Sequence, residues 1–157
     1  AGNNNDTVAS YPAAYEKVIA VGATDRYDDS ASFSTFSSSW VSLLAPGENI
    51  ISTVPNELCV LYADLLGLSF DPDSDACLVW YSGTSMASPM VAGILALMLE
   101  VNPNLTPASA MDIIKATAIK DSFTTQQPDS TRWGWGKINS YGAVQAAAAG
   151  APIFHRG

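Results

Sequence analysis

The chain has little positive charge, little cysteine and a single histidine. Its seven Lys and Arg residues stand against fifteen Asp and Glu, which gives a formal net charge of −8 over 157 residues. Nucleic-acid-binding domains usually carry a basic patch, so this balance argues against that class of partner. No basic stretch followed by an apolar stretch opens the chain, as a signal peptide would. The longest apolar run, Val91–Leu99, is too short to cross a membrane, and we expect no membrane partner.

The composition is that of a folded protein. Apolar residues make up 48% of the chain and charged residues 14%, whereas disordered chains are rich in charge and poor in apolar residues. The length predicts one domain with a sizeable core. The abrupt first and last residues suggest a piece processed from a longer protein, the alternative being an artificial boundary. Few basic residues together with many Ser, Ala, Gly and Asn favour a secreted protein.

The two cysteines allow one disulfide, between Cys59 and Cys77. Closing a loop of this length would stabilise the fold by about 3 kcal/mol in the chain-entropy model. The alternative is a pair of free, buried thiols. An acidic chain with so few cysteines fits an oxidising compartment slightly better.

Short apolar runs predict buried strands. The run over residues 17–23 is apolar and ends near Gly22, as in a strand covered on both faces of a parallel sheet. Residues 42–45 and 49–54 predict two further strands. Residues 55–78 break this pattern, contain both cysteines and are interpreted as an insertion between strands. Residues 79–82 return in an extended form.

Three helices are predicted after the insertion. The strongest has Ala92, Leu95, Ala96 and Leu99 at helical spacing, and its other faces are apolar too, which predicts a helix buried all round. A second helix begins after Thr106, with a good N-cap and Pro107 at the first position. A third spans residues 139–149. Strands followed by helices indicate an α/β fold with a mostly parallel sheet.

Ser85 is the residue whose position suggests chemistry. It stands between an extended segment and the strongest helix, where free N–H groups and the helix dipole stabilise negative charge. The preceding Gly83 allows a ligand to approach the backbone closely. From spacing alone, the alternative of an ordinary N-cap serine is favoured.

A longer pattern changes that balance. Residues 83–89, GTSMASP, followed by VAG at 91–93, resemble the nucleophile motif of the subtilisin-like serine proteases. The resemblance covers roughly residues 1–149 and is interrupted by the insertion at 55–78. Further segments match the family in its chain order: residues 1–3, 11–23, 31–34, 45–47, 102–103 and 134–139.

The resemblance implies a three-layer subtilisin-like α/β fold. Residues 1–150 would form the C-terminal part of the catalytic domain, including the nucleophile helix, and residues 151–157 a tail. Ser85 corresponds to the nucleophile that forms the acyl-enzyme, and Asn3 to the side-chain donor of the oxyanion hole. Ala1, Gly2 and Ser10 correspond to positions of the primary specificity pocket. The implied activity is hydrolysis of peptide bonds in peptides or proteins.

The catalytic Asp and His of this family precede the oxyanion Asn, and this chain offers neither. Its one histidine, His155, does not match the family's position and is expected to be an exposed tail residue. We therefore expect a separate N-terminal chain, or a missing segment, to supply both groups and to cover Leu95, Leu97 and Leu99 of the nucleophile helix. The rival interpretation is a non-catalytic subunit or an inactive fragment on the same fold.

Metal binding is weakly indicated. Asp71, Asp73 and Asp75 alternate as in the start of a calcium loop, but Ala76 stands where such a loop has glycine. A solvated loop is the favoured interpretation. The family mechanism requires no cofactor, and Ca²⁺ as a structural ion is left open.

Overall fold

The computed structural model describes residues 1–66, 77–122, 124 and 130–150. The acidic residues 71, 73 and 75 and the histidine at 155 lie outside the described residues, as does the tail 151–157.

The core contains a pair of parallel strands. β1 (Val21–Thr24) pairs with β2 (Leu43–Pro46) in parallel, with Val21 opposite Leu43. All four residues of β1 and the first three of β2 are buried, as continuous apolar runs in a parallel sheet require. The predicted strand at residues 17–23 begins later than expected, because Lys17 has a positive φ of 69° and Val18 is exposed.

A second pair of strands lies apart from this sheet. β3 (Ile50–Thr53) pairs antiparallel with β4 (Leu78–Tyr81), with Ile51 opposite Trp80. Between them the chain forms helix α1 (Asn56–Leu66), which the sequence pattern did not predict. The interpretation of residues 55–78 as an insertion stays a prediction, and its last residue, Leu78, is the first residue of β4.

Helix α2 (Thr84–Val101) packs across β1 and β2 and against the last helix. Within this chain α2 is buried along one stripe, and Leu97 and Leu99 are exposed, as expected for a chain without the segment that would cover them. Of the predicted stripe, Leu95 is partly buried whereas Leu99 is exposed. With 18 residues and mean hydropathy 1.5, α2 has the length and composition of a membrane span, unlike the shorter run expected above. Its buried residues are Thr84, Ala87, Val91, Ile94 and Met98.

The C-terminal helices complete the core. α3 (Pro107–Thr117) begins at the predicted cap, where Thr106 and Ser109 form a reciprocal capping box. A 3₁₀ turn follows at Ser130–Trp133, and then α4 (Ser140–Ala149), whose first turn is capped by Asn139 accepting from the Gly142 N–H at 2.9 Å. The molecule is thus an α/β fold in which α2 positions Ser85 at the end of the parallel strands.

Candidate active site

Ser85 lies in the first turn of α2 with its side chain exposed. Within the described residues its Oγ forms no hydrogen bond, so the hydroxyl is available to a substrate or a base. The first N–H groups of a helix have no partner inside the helix and carry partial positive charge. The position predicted for Ser85 from the sequence is therefore the position it has.

Two of these N–H groups are occupied and the one between them is not. The Thr84 N–H donates to Asn3 Oδ1 at 2.9 Å, and the Met86 N–H donates to the Gly83 carbonyl at 2.9 Å. Among the described residues the Ser85 N–H has no acceptor. It is therefore free to donate to an oxygen held beside the Ser85 hydroxyl.

Asn3 supplies a second donor at the same place. Because its Oδ1 accepts from Thr84, its Nδ2 faces the other way and lies 3.3 Å from where a side chain on Gly83 would begin. The Gly2 N–H returns a hydrogen bond to Thr84 Oγ1 at 3.1 Å. These two bonds join segments more than eighty residues apart and bring Asn3 next to Ser85.

The segment that carries Asn3 is held in place by hydrogen bonds to residues 33–35. Gly2 accepts from the Thr35 N–H at 2.9 Å, and the Asn5 N–H donates to the Phe33 carbonyl at 2.8 Å. Gly2 has φ +136°, and a Cβ there would lie 2.9 Å from Thr35 Oγ1. Only glycine fits this close approach. The helix side is fixed too, because Gly83 donates to Gly47, next to the end of β2, at 2.7 Å.

Among the described residues, no hydrogen bond joins Ser10 to Ala1 or Gly2, the other two residues predicted for the specificity pocket. Ala1 and Gly2 are half-buried, and the Ala1 nitrogen donates to the Val21 carbonyl at 2.8 Å. Ser10 lies in an exposed turn, where its carbonyl accepts from the Ala14 N–H. The assignment of these three residues to a substrate pocket stays a prediction.

An apolar groove of about 330 Å³ runs beside Ser85. This groove could not be predicted from the sequence, because its walls come from a strand and a helix that are distant in the chain. Its lining residues are Ile50, Ile51, Ser52, Ser85, Met86, Pro89 and Met90.

No histidine occurs among the described residues, so the geometry includes no imidazole to accept the Ser85 proton. The same residues contain no group of three or more His, Cys, Asp or Glu side chains that could hold a metal.

The two cysteines form a disulfide whose Cα atoms lie 5.9 Å apart. It joins α1 to the residue preceding β4. The Tyr62 and Tyr81 hydroxyls make a second link at 2.6 Å between the same elements, and this hydrogen bond raises the pKa of Tyr81.

A buried ammonium group belongs to Lys137, whose backbone forms a parallel bridge with Leu44 of β2. Lys137 is only 3% exposed, and its Nζ contacts carboxylate oxygens of Asp28 and Asp121. Burial alone would lower the pKa of Lys137, but the hydrogen bonds that its ammonium donates to Asp121 and Asp28, with the attraction of both carboxylates, outweigh burial and raise it. Residues 134–139 match the family pattern, but the sequence did not predict the cluster of Lys137, Asp28 and Asp121, because the two acids lie far apart in the chain. A cavity of about 390 Å³ borders it.

The chain is similar to known proteins over most of its length. The subtilase family profile matches residues 1–136. A thermophilic serine proteinase from Bacillus sp. (strain AK1) is 41% identical over 144 residues, which cover 92% of this chain and 29% of that protein. Thermitase from Thermoactinomyces vulgaris is 39% identical over 145 residues, which cover 92% of this chain and 42% of that protein.

Solved structures show the same fold. A protease from Pseudoalteromonas arctica superposes with a TM-score of 0.72 at 29% identity, over 93% of this chain and 41% of that one. Fervidolysin from Fervidobacterium pennivorans, described as a keratinolytic enzyme related to subtilisin, superposes with a TM-score of 0.67 at 34% identity, over 86% of this chain and 20% of that one.

The fold and the Asn3–Ser85 arrangement define a partial catalytic domain of the subtilisin type. The chain belongs to the subtilase family of serine peptidases. It spans less than half the length of the relatives named above.

Proposed function

We propose that this chain is the nucleophile-bearing part of a subtilisin-like serine endopeptidase. The observation that carries the proposal is the free Ser85 N–H, flanked by a capped Thr84 N–H and by the free Nδ2 of Asn3. Two donors beside one exposed hydroxyl are what an acyl-transfer site needs to hold a developing oxyanion.

The reaction follows from this geometry. Ser85 Oγ attacks the carbonyl carbon of a peptide bond while its proton passes to a base. The carbonyl oxygen becomes negative and accepts hydrogen bonds from the Ser85 N–H and Asn3 Nδ2. The leaving amine takes the proton, an acyl-enzyme remains on Ser85, and water then releases the acid by the same steps.

The base and its orienting carboxylate would come from a polypeptide segment outside this chain. A surface that such a segment could cover is present on α2, where the side chain of Leu97 is 55% exposed and that of Leu99 is 45% exposed. A Cβ added at Gly93 would meet nothing within 4 Å. Since the family relatives are more than twice as long, we propose that the N-terminal part of the same protease covers this face. We call the exposed residues around Gly93, namely Ala92, Gly93, Ala96 and Leu97, the open α2 face.

Peptides or proteins are the proposed substrates. An extracytoplasmic location is proposed from the acidic composition, the disulfide and the likeness to thermitase and related proteases. The rival candidate is a non-catalytic subunit or inactive fragment, which the lack of a histidine among the described residues favours.

Labelling with a fluorophosphonate tests the proposal. The chain is mixed with the N-terminal part of its protease, treated with the probe and weighed intact by mass spectrometry. We expect one probe on the 16.5 kDa chain, at Ser85, and none on Ser85→Ala. Ser88→Ala is the matched control, because Ser88 is an exposed serine one turn along α2. Absence of label on the assembled protein would favour the non-catalytic alternative.

A further inference from the structure

The side chain of Arg132 reaches the segment that carries Asn3. Its Nη1 donates to Asn5 Oδ1 at 3.0 Å, across 127 positions of the chain. The guanidinium carbon also lies 3.8 Å from the centre of the Phe36 ring, well within the range of a cation–π contact. Stacking on a ring restricts the orientation of a planar guanidinium, and it therefore helps to aim Nη1 at Asn5.

The backbone at Arg132 is held by the residue that follows it. Trp133 is 2% exposed and packs in a small cluster with Val41 and Leu44. Trp133 cannot shift without opening this cluster, and such an opening would lose buried apolar contacts. Arg132 therefore projects from a fixed point of the core toward Asn5.

Asn5 has a backbone conformation that needs support. Its φ is +52°, in the left-handed region where L residues are strained, although Asn is better tolerated there than most. After this turn the Asp6 carbonyl accepts from the Phe36 N–H at 2.9 Å. The hydrogen bond from Arg132 acts on the side chain at the turn itself and favours this conformation over more extended ones.

The turn at Asn5 controls how Asn3 is aimed. Among the described residues the Asn3 side chain has a single hydrogen bond, from the Thr84 N–H. One bond leaves the side chain free to pivot, so the direction of Nδ2 depends on the backbone on both sides of Asn3. Gly2 fixes the preceding side through its bond with the Thr35 N–H, and the turn at Asn5 fixes the following side.

We propose that Arg132 is a positioning residue for the oxyanion hole, because it holds the left-handed turn at Asn5 and thereby keeps Asn3 Nδ2 aimed beside Ser85. The inference rests on the proposed function, since the aim of Nδ2 affects turnover only if an oxyanion forms at Ser85. A misplacement of about 1 Å caused by a distant substitution can cost about 10² in rate. Loss of the donor itself, about 10²–10³ in kcat, sets the upper limit.

Kinetics of the protease completed by its N-terminal part test this role with a peptide substrate. Arg132→Met keeps an unbranched side chain over Phe36 but removes the donor. We expect kcat to fall about 10-fold, within the limit set by loss of the donor, and KM to stay unchanged. In the Asn3→Ala background the same substitution should have almost no effect on kcat, because no donor remains to be positioned. An equal loss in both backgrounds, or no loss in either, would overturn the proposal.

A second substitution should restore the turn without its tether. Glycine adopts a positive φ without strain, so Asn5→Gly should recover most of the kcat lost in Arg132→Met. Failure to recover would overturn the role assigned to the turn. Arg26→Met is the matched control, because the Arg26 guanidinium likewise lies over an aromatic ring, that of Tyr27 at 5.0 Å. It should leave kcat unchanged.

A spectroscopic measurement separates this inference from the proposed function. In ¹⁵N-labelled protein the side-chain amide signal of Asn3 is identified by its loss in Asn3→Ala. We expect this signal to move in Arg132→Met, to return on addition of Asn5→Gly and to stay in place in Arg26→Met. Movement in a protein that forms no acyl-enzyme at Ser85 would reject the proposed chemistry and keep the positioning contact. A signal that stays in place in Arg132→Met would reject the positioning role even if acyl-enzyme forms.

Discussion

Two substitutions of Gly93 should have opposite effects. Alanine should stabilise this chain alone, and leucine should weaken its association in the assembled protease. Gly93 lies inside α2, and a Cβ there would meet nothing within 4 Å. Alanine is favoured over glycine in a helix interior by about 1 kcal/mol, and no steric cost opposes that gain. Gly93→Ala should therefore stabilise the isolated chain by about 1 kcal/mol, which corresponds to roughly 2–4 °C in Tm for a domain of this size.

In the assembled protease the same position would lie in an interface. If the N-terminal part packs on the open α2 face, a larger side chain at Gly93 must displace it. Overpacking costs about 1–3 kcal/mol, so Gly93→Leu should weaken association roughly 5- to 150-fold. Gln145→Leu, an exposed position on α4, adds the same side chain elsewhere and should leave association unchanged.

Two measurements check this reasoning. Thermal unfolding of the isolated chain gives the first effect, and titration of the chain with a labelled N-terminal part gives the second. A lower Tm for Gly93→Ala would show that the Cβ meets an obstacle. Equal affinities for Gly93→Leu and the unsubstituted chain would show that the open α2 face is not where the rest of the domain binds.

Three further predictions concern the site and its supports. Asn3→Ala should lower kcat of the assembled protease by about 10²–10³, the loss found for such a donor in a subtilisin. Asn3→Asp should lower kcat comparably, but it keeps the acceptor for the Thr84 N–H and should therefore keep the Tm. Normal turnover in either variant would refute the donor role. Replacing Cys59 and Cys77 with serine should lower the free energy of unfolding by about 3 kcal/mol, measured by urea denaturation, and added reductant should then have no effect. Lys137→Met should cost about 1–3 kcal/mol at neutral pH, less than for a fully buried pair because Asp28 is largely exposed. Since folding raises the pKa of Lys137 above 10.5, its stabilisation is complete below pH 10.5 and is lost as pH rises through the folded-state pKa. Urea denaturation at several alkaline pH values should therefore show that Lys137→Met lacks this part of the decline, and an unchanged profile would contradict the ion-pair account.

Much of the local structure could be predicted from the sequence. The cap and first turn of α3 depend on Thr106 and Pro107, and the start of α4 depends on Asn139, because capping is settled within a few residues. The placement of Ser85 near the start of α2 followed from a local pattern too. The family resemblance identified Asn3, although nothing local links it to Ser85.

Other features depended on distant parts of the chain. α2 is apolar on every side, so its sequence could not show which stripe would be covered; β1, β2 and α4 decide that Val91, Ile94 and Met98 are buried and Leu97 is exposed. The antiparallel pairing of β3 with β4 and the intervening α1 were likewise invisible in short apolar runs.

The sequence by itself determined the family, indicated Ser85 as the candidate nucleophile and fixed the starts of α3 and α4, because these depend on residues close together or on a long specific motif. The tertiary structure alone decided that Asn3 caps Thr84 and leaves the Ser85 N–H free, and that Lys137 meets Asp28 and Asp121. Hydrogen bonds and ion pairs act over a few ångströms, whereas these partners lie up to 109 positions apart. Only the folded chain brings them within reach of one another.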